Sequence, residues 1–109
     1  VKTPKPGQPV RGSKTGRPIM ALLDLLGRRW TLRIIWELRE EAATFLELQG
    51  RCDNMSSSTL VQRLSELSEA RIVEQDVTSN RYNLTTEGLG LVKALTPLNE
   101  WAQDWAKEF

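Results

Sequence analysis

Residues 56–67 read SSSTLVQRLSEL. Leu60, Leu64 and Leu67 recur at i, i+4 and i+7, which is one face of an α-helix. The other side offers Ser57, Ser58, Thr59, Gln62 and Arg63, short hydroxyls and two fork-shaped hydrogen-bonding groups near a helix start. Those residue types in that place suit the reading of a DNA duplex. Small side chains let the helix backbone approach the groove, and Ser and Thr hydroxyls bond to bases or phosphates. The helix N-terminus itself favours phosphate. Gln62 can pair bidentately with adenine and Arg63 with guanine. Plain solvation is the competing account. Ser56 is assigned to the N-cap, a role worth about 1 kcal/mol, and Arg63 can instead pair with Glu66 or Glu37 inside the fold.

More cationic and polar groups lie elsewhere. Asn80 and Arg81, next to Ser79, fall in a polar turn from which Arg81 would reach a phosphate or the minor groove. Arg28 and Arg29 precede an apolar helix, with one expected on phosphate and the other in solvent. Arg28, Arg29, Arg63 and Arg81 are expected to share one face. Enzyme chemistry has little support. The chain has no histidine, the commonest general base and metal ligand. A single cysteine cannot build a Cys-rich zinc site. EGLG at 87–90 lacks the strand-to-helix setting of a phosphate loop, and Asp24, Glu40 and Glu41 read as a solvated face. No catalytic residue, metal or cofactor is expected.

The elements that would position these groups follow from periodicity and caps. Pro18 suits a first helical position, Ile19, Leu22, Leu23 and Leu26 follow at helical spacing, and Gly27 suits a stop. A second helix carries Trp30, Leu32, Ile34, Ile35, Trp36 and Leu38, with Thr31 as its cap, and is dense enough in apolar residues to be buried on most sides. REEAAT (39–44) reads as a charged connection. Thr44 and Glu47 form a capping-box pattern for a short third helix. GRCDNM (50–55) supplies a turn, and the fourth helix runs from the opening stretch to about Ala70. The period then changes: Ile72, Val73 and Val77, interrupted by TSNR before YNL, predict a two-stranded hairpin. Thr85 or Thr86 caps a last helix, in which Pro97 predicts a kink or break near Thr96.

The order helix, helix, helix–turn–helix, hairpin, helix is that of a winged helix–turn–helix domain. The fold class expected is mainly α (α+β), a helical bundle with a short antiparallel wing. Its parts are a basic flexible arm at 1–17 and one domain at 18–109, with the helix–turn–helix at 45–70, the wing at 72–84 and a C-terminal dimerisation helix at 86–107.

Composition bounds the rest. A length of 109 residues with 39% hydrophobic residues fits one domain with a modest core. Cys52 alone cannot form an intramolecular disulfide, which favours a reducing, cytoplasmic setting. No apolar run approaches the roughly 18 residues that span a membrane. Residues 1–17 hold five basic side chains and no acidic one, leaving ten Lys and Arg against fourteen Asp and Glu in the body. An acidic body counts against DNA binding unless its arginines cluster, because a nucleic-acid binder usually shows a basic footprint. It motivates the alternative of a winged helix used for protein contacts alone. Four tryptophans are more than a lone winged helix can bury. Trp36 is assigned to the core. The surplus predicts a homodimer through the first and last helices, using Ile19, Leu22, Leu23, Leu98, Trp101 and Trp105. A pocket between protomers for a small-molecule effector of unknown identity is a third reading of the same residues.

LLDLLGRRWTLRIIWEL (22–38), TFLELQGRC (44–52), MSSSTLVQRLSELSEARIVEQ (55–75), YNLTTEGLGL (82–91) and PLNEW (97–101) together resemble HxlR-type winged helix–turn–helix transcriptional regulators, in order and over almost everything from Pro18 onward. The resemblance implies a bacterial regulator that binds double-stranded DNA as a homodimer through paired recognition helices, and dimerises through its first and last helices. A repressor on a near-palindromic operator is expected. Members often sense electrophiles or oxidants through a cysteine just before the first helix. GRPIM (16–20) has none here, and Cys52 reads as a small buried filler. Arg28 stands where a second glycine usually follows Gly27, Ala70 and Arg71 stand where a turn glycine is usual, and the wing is shorter than usual.

Overall fold

The computed structural model describes residues 3–109. Five helices and two strands follow one another: α1 (Pro18–Leu26), α2 (Thr31–Glu37), α3 (Phe45–Arg51), α4 (Ser57–Glu69), β1 (Val73–Gln75), β2 (Tyr82–Leu84) and α5 (Thr86–Ala106). This is the winged helix–turn–helix order. The strands pair antiparallel, with Val73 opposite Leu84 and Gln75 opposite Tyr82. Ala43 forms a separate antiparallel bridge to β2: its N–H donates to the Tyr82 carbonyl at 3.0 Å and its carbonyl accepts from the Tyr82 N–H at 2.7 Å. The segment read as a charged connection therefore ties the wing to the helices. The wing strands are shorter than the hairpin expected, and Val77 lies in the exposed connection between them.

Local chemistry explains the boundaries. Thr44 caps α3 in a reciprocal capping box with Glu47, and Thr85 caps α5 by accepting from the Gly88 N–H. Gly88 is tightly placed, since a Cβ there would lie 2.3 Å from the Ile72 carbonyl oxygen. The turn of the helix–turn–helix uses two consecutive left-handed residues, Asp53 and Asn54, both at φ 56°. Asp and Asn tolerate that region better than other side chains. Met55 and Leu60 then occupy the N′ and N4 positions of a hydrophobic staple at the start of α4, both in the core. That core joins Leu25, Ile34, Ile35, Leu38, Ala43, Leu48 and Cys52 to Leu60, Leu64 and Leu67 of α4 and to Ile72, Val73 and Leu84 of the wing.

Four expectations need correction. Thr31 is not the cap of α2 but its first residue; the cap position is Trp30 at φ 75°, and the buried Thr31 hydroxyl has no hydrogen-bond partner among the described residues. Trp36 is only half-buried, turned toward α5 with the Arg39 guanidinium 4.1 Å above its ring. Helix α5 runs without a break through Pro97; the Thr96 hydroxyl donates to the Val92 carbonyl at 3.1 Å one turn back. Residues 3–17, expected as a flexible arm, carry local structure of their own. They fold on themselves, with a Val10–Ser13 bridge and the Gly7 N–H donating to the Gly16 carbonyl at 2.9 Å, and the Arg11 N–H donates to Asp24 of α1 at 3.2 Å. Thr3 is buried. Lys2, counted in the arm's charge, lies outside the described residues.

Candidate nucleic-acid interface

Helix α4 is the second helix of the helix–turn–helix, the one that enters the major groove in this motif. Its start is ordered by hydroxyls. Ser56 is the N-cap, its Oγ accepting from the Thr59 N–H at 3.2 Å. The Ser56 hydroxyl also lies 3.1 Å from that of Ser58 and donates to that of Thr59. Thr59 is half-buried, whereas Ser57 and Ser58 are exposed. At 100° per residue, Ser58, Val61, Gln62 and Ser65 fall on the solvent side, away from buried Leu60, Leu64 and Leu67, whereas Ser57 lies near Leu64 in angle and is exposed as the first residue of the helix. Val61 is 58% exposed on this face. Sequence reasoning passed over Val61 and Ser65. The signal was available, since both are out of phase with the leucines.

Gln62 and Arg63 do not simply point outward. Both turn to Glu66, which is 3% exposed. The Gln62 amide donates to one Glu66 oxygen at 3.1 Å, and the Arg63 guanidinium to the other at 3.0 Å. Arg28, from the α1–α2 junction, adds its guanidinium to the same carboxylate. Arg63 Nε also donates to the Arg29 carbonyl at 2.8 Å. Burial is the largest single influence on Glu66 and opposes its ionisation. The hydrogen bonds from Gln62 and Arg28 and the charges of Arg28 and Arg63 together outweigh it, so the carboxyl titrates below its ordinary value. Of the expected basic group, Arg28 and Arg63 thus serve an internal carboxylate. Arg29 is exposed beside Trp30, with 6.0 Å from guanidinium to ring.

Arg81 belongs to a different cluster. Its guanidinium pairs with Glu47 of α3 at 2.8 Å, across the seam between wing and helix–turn–helix. Glu47 titrates low, first because the Thr44 N–H and hydroxyl bond it and less because of Arg81. The wing tip is knotted by its own groups: Asp76 accepts from the Thr78 N–H at 2.9 Å, and the Gln75 amide donates to the Asn80 side chain at 3.1 Å, with Asn80 at φ 64°.

The residues expected at a protomer interface are mostly bare. Ile19 and Leu23 on α1 and Leu98, Trp101 and Trp105 on α5 are exposed, while Leu22 is half-buried. Trp101 stacks on Trp105 at 5.6 Å between ring centres, and Trp105 meets Phe109 edge-on. Between α2 and α5 lies an apolar groove of about 400 Å³, walled by Leu32, Trp36, Leu95, Leu98 and Ala102. Cys52 is fully buried, and burial pushes its thiol up, which suits an inert filler. Among the described residues no group of His, Cys, Asp and Glu could hold a metal ion, and no helix is long and apolar enough to cross a membrane.

Known proteins resemble this chain in sequence and in fold. Residues 25–109 match the model of the HxlR-like helix-turn-helix family. The uncharacterized HTH-type transcriptional regulator YvaP of Bacillus subtilis is 31% identical over 88 residues, spanning 76% of this chain and 82% of that protein. The crystal structure of quinone-bound YodB from B. subtilis superposes with a TM-score of 0.69 at 33% identity, covering 84% of this chain and 98% of that one. A possible HxlR family transcriptional factor from Thermoplasma volcanium superposes with a TM-score of 0.71 at 26% identity, covering 83% and 85%. With its helix–turn–helix, its wing and its long last helix all inside the matched residues, the chain belongs to the HxlR-like helix-turn-helix family.

Proposed function

We propose that this protein is a sequence-specific transcriptional regulator of double-stranded DNA, a cytoplasmic repressor that acts as a homodimer on a near-palindromic operator. The observation that carries the reading is the outer face of α4, where Ser58, Val61 and Ser65 stand exposed, with Ser57 exposed at the start of the helix capped at Ser56. Small hydroxyls there donate or accept at base edges, and Val61 suits the methyl group of thymine. Relatives named as transcriptional regulators support the same reading. The bare tryptophan face of α5 supports a second copy, since exposed apolar patches of this kind mark interaction sites. Two-fold symmetry would set the two α4 helices about 34–36 Å apart, one DNA turn. Repression follows from occupancy of promoter DNA. A small-molecule effector belongs to the same reading: the relative YodB has a quinone-bound form, and the groove between α2 and α5 suits an apolar ligand.

A winged helix devoted to protein contacts is the second reading, favoured by the internal pairing of Arg28, Arg63 and Arg81. Gel shifts with random-pool duplexes at low ionic strength separate the two. A regulator retains a subset of sequences and loses them as salt rises. A folded dimer that retains no duplex at low salt refutes the DNA reading.

A further inference from the structure

We propose that the folded segment of residues 3–17 is a phosphate-gripping element set beside the reading face of α4, and that it supplies the electrostatic affinity that the helix–turn–helix arginines do not. The proposal rests on the DNA-binding reading above and adds to it where the cations come from. Arg28, Arg63 and Arg81 are held in ion pairs with Glu66 and Glu47, and Arg33 with Glu37 and Asp53. Arg51 is turned onto the backbone carbonyls of Glu37, Glu41 and Ala42. The body outside the arm is net acidic. By contrast, the side chains of Lys5, Arg11, Lys14 and Arg17 are exposed and, among the described residues, have no ion pair or hydrogen bond.

The segment is built rather than trailing. Gly7, Gly12 and Gly16 all take positive φ, between 71° and 84°. A Cβ on Gly16 would sit 2.2 Å from the Gln8 carbonyl oxygen, so no other residue fits there without moving the turn. The Arg17 N–H donates to the Ser13 hydroxyl at 3.0 Å, and the Arg11 N–H anchors on Asp24 of α1. This fold flanks Gln62 of α4 on both sides. One cleft holds Arg11 with Gln62 and Arg63, and a second holds Thr3 and Lys5 with Gln62 and Ser65. Glu66 lines both clefts, with Asp24 in the first and Glu69 in the second, and among the described residues none of the three is ion-paired with Lys5 or Arg11. Lys5 and Arg11 therefore bracket the reading face, where the phosphates on either side of a major groove would pass. The segment precedes the residues that match the family, so the contact is a feature of this chain beyond that match.

Fluorescence anisotropy on the full chain tests this, with a duplex selected by the protein from a random pool and a scrambled duplex of equal length. Each lost phosphate contact removes about 0.9 from the slope of log affinity against log salt. Lys5→Ala/Arg11→Ala is expected to flatten that slope by about two per protomer and to weaken both duplexes by a similar factor of about tenfold or more, as phosphate contacts carry no sequence information. Lys93→Ala/Lys107→Ala, which removes equal charge from α5 and its C-cap, is expected to leave the slope unchanged. Gly16→Ala keeps every charge but unseats the segment, and is expected to weaken binding with helical content intact. A wild-type slope in Lys5→Ala/Arg11→Ala overturns the proposal. So does undiminished affinity in Gly16→Ala, which would make the segment a mere tethered polycation. Tighter binding in either variant also overturns it, because the segment would then be covering α4. If the wild-type protein binds no duplex at all, the DNA-binding reading falls and the proposal falls with it; if it binds and the variants match it, only the proposal falls.

Discussion

Arg63 and Glu66, three residues apart on α4, form an ion pair at 3.0 Å that points the arginine into the fold. Arg28 reaches the same carboxylate from 38 residues away in sequence. Glu66 thus pins the helix expected to read DNA to the α1–α2 junction. Its orientation is set by this carboxylate as well as by the leucines beneath it.

Glu66→Ala is expected to destabilise the protein by about 2–3 kcal/mol, somewhat under the range for breaking a buried pair because both arginines keep some contact with water. Its acid dependence is a sharper test. The folded-state value of Glu66 lies below its ordinary 4.5, so the unfolded chain binds the proton more readily. The stabilisation is complete above the ordinary value and is lost as pH falls through the folded one. Glu66→Gln, measured by urea unfolding across acidic pH, should lose less stability than wild type over that window. Parallel acid limbs would refute the assignment.

The outer face of α4 predicts a separation of stability from specificity. Ser58 and Val61 are exposed, so Ser58→Ala and Val61→Ala should change unfolding free energy by no more than about 0.5 kcal/mol. Val61→Ala should relax the preference at a single operator position, on the scale of about 1–3 kcal/mol per base pair. Competition binding with single-substituted duplexes measures this. Equal loss on every duplex would mean that Val61 reads no base. Gln62→Ala should relax preference less than its position suggests, because Gln62 already donates to Glu66.

The bare face of α5 predicts a concentration-dependent assembly. Trp101 and Trp105 are 59% and 53% exposed in one chain, and burying such rings contributes more than any polar contact nearby. Light scattering of the wild type at micromolar concentration should give a dimer mass. Leu98→Asp/Trp101→Asp should give a monomer that keeps its helical signal, because neither side chain belongs to the core. A stable wild-type monomer would remove the homodimer from the functional reading.

Much of this architecture is legible in sequence, because helix ends are written locally. Pro18, the Thr44–Glu47 box, Ser56 and Thr85 mark four helix starts, and the spacing of Leu60, Leu64 and Leu67 sets which side of α4 is buried. What is not legible is non-local. The Ala43–Tyr82 bridge joins two segments with no shared pattern, and the convergence of Arg28 on Glu66 leaves no periodic trace. Residues 3–17 misled for a chemical reason. Glycine serves both disorder and tight left-handed turns, and composition alone does not tell them apart. Trp30 misled similarly, since nothing in a bulky aromatic announces a left-handed backbone. At the candidate site Ser57 and Ser58 are exposed, Thr59 is half-buried, and the arginines are mostly occupied by partners that no local spacing reveals.

Arg71 offers a last test that needs no DNA. It sits at φ 63° just after α4, where its carbonyl accepts from the Thr85 hydroxyl at 2.7 Å. A left-handed backbone costs an ordinary residue roughly 1–2 kcal/mol, and glycine nearly nothing. Part of that gain is offset by the greater freedom glycine gives the unfolded chain. The net expectation for Arg71→Gly is about 0.5–1 kcal/mol of added stability, seen as a rise of a few degrees in Tm. Because the Arg71 side chain is exposed and makes no hydrogen bond or ion pair among the described residues, little is lost in exchange. A fall in Tm would show that the arginine side chain stabilises the wing entry by more than its backbone strain costs.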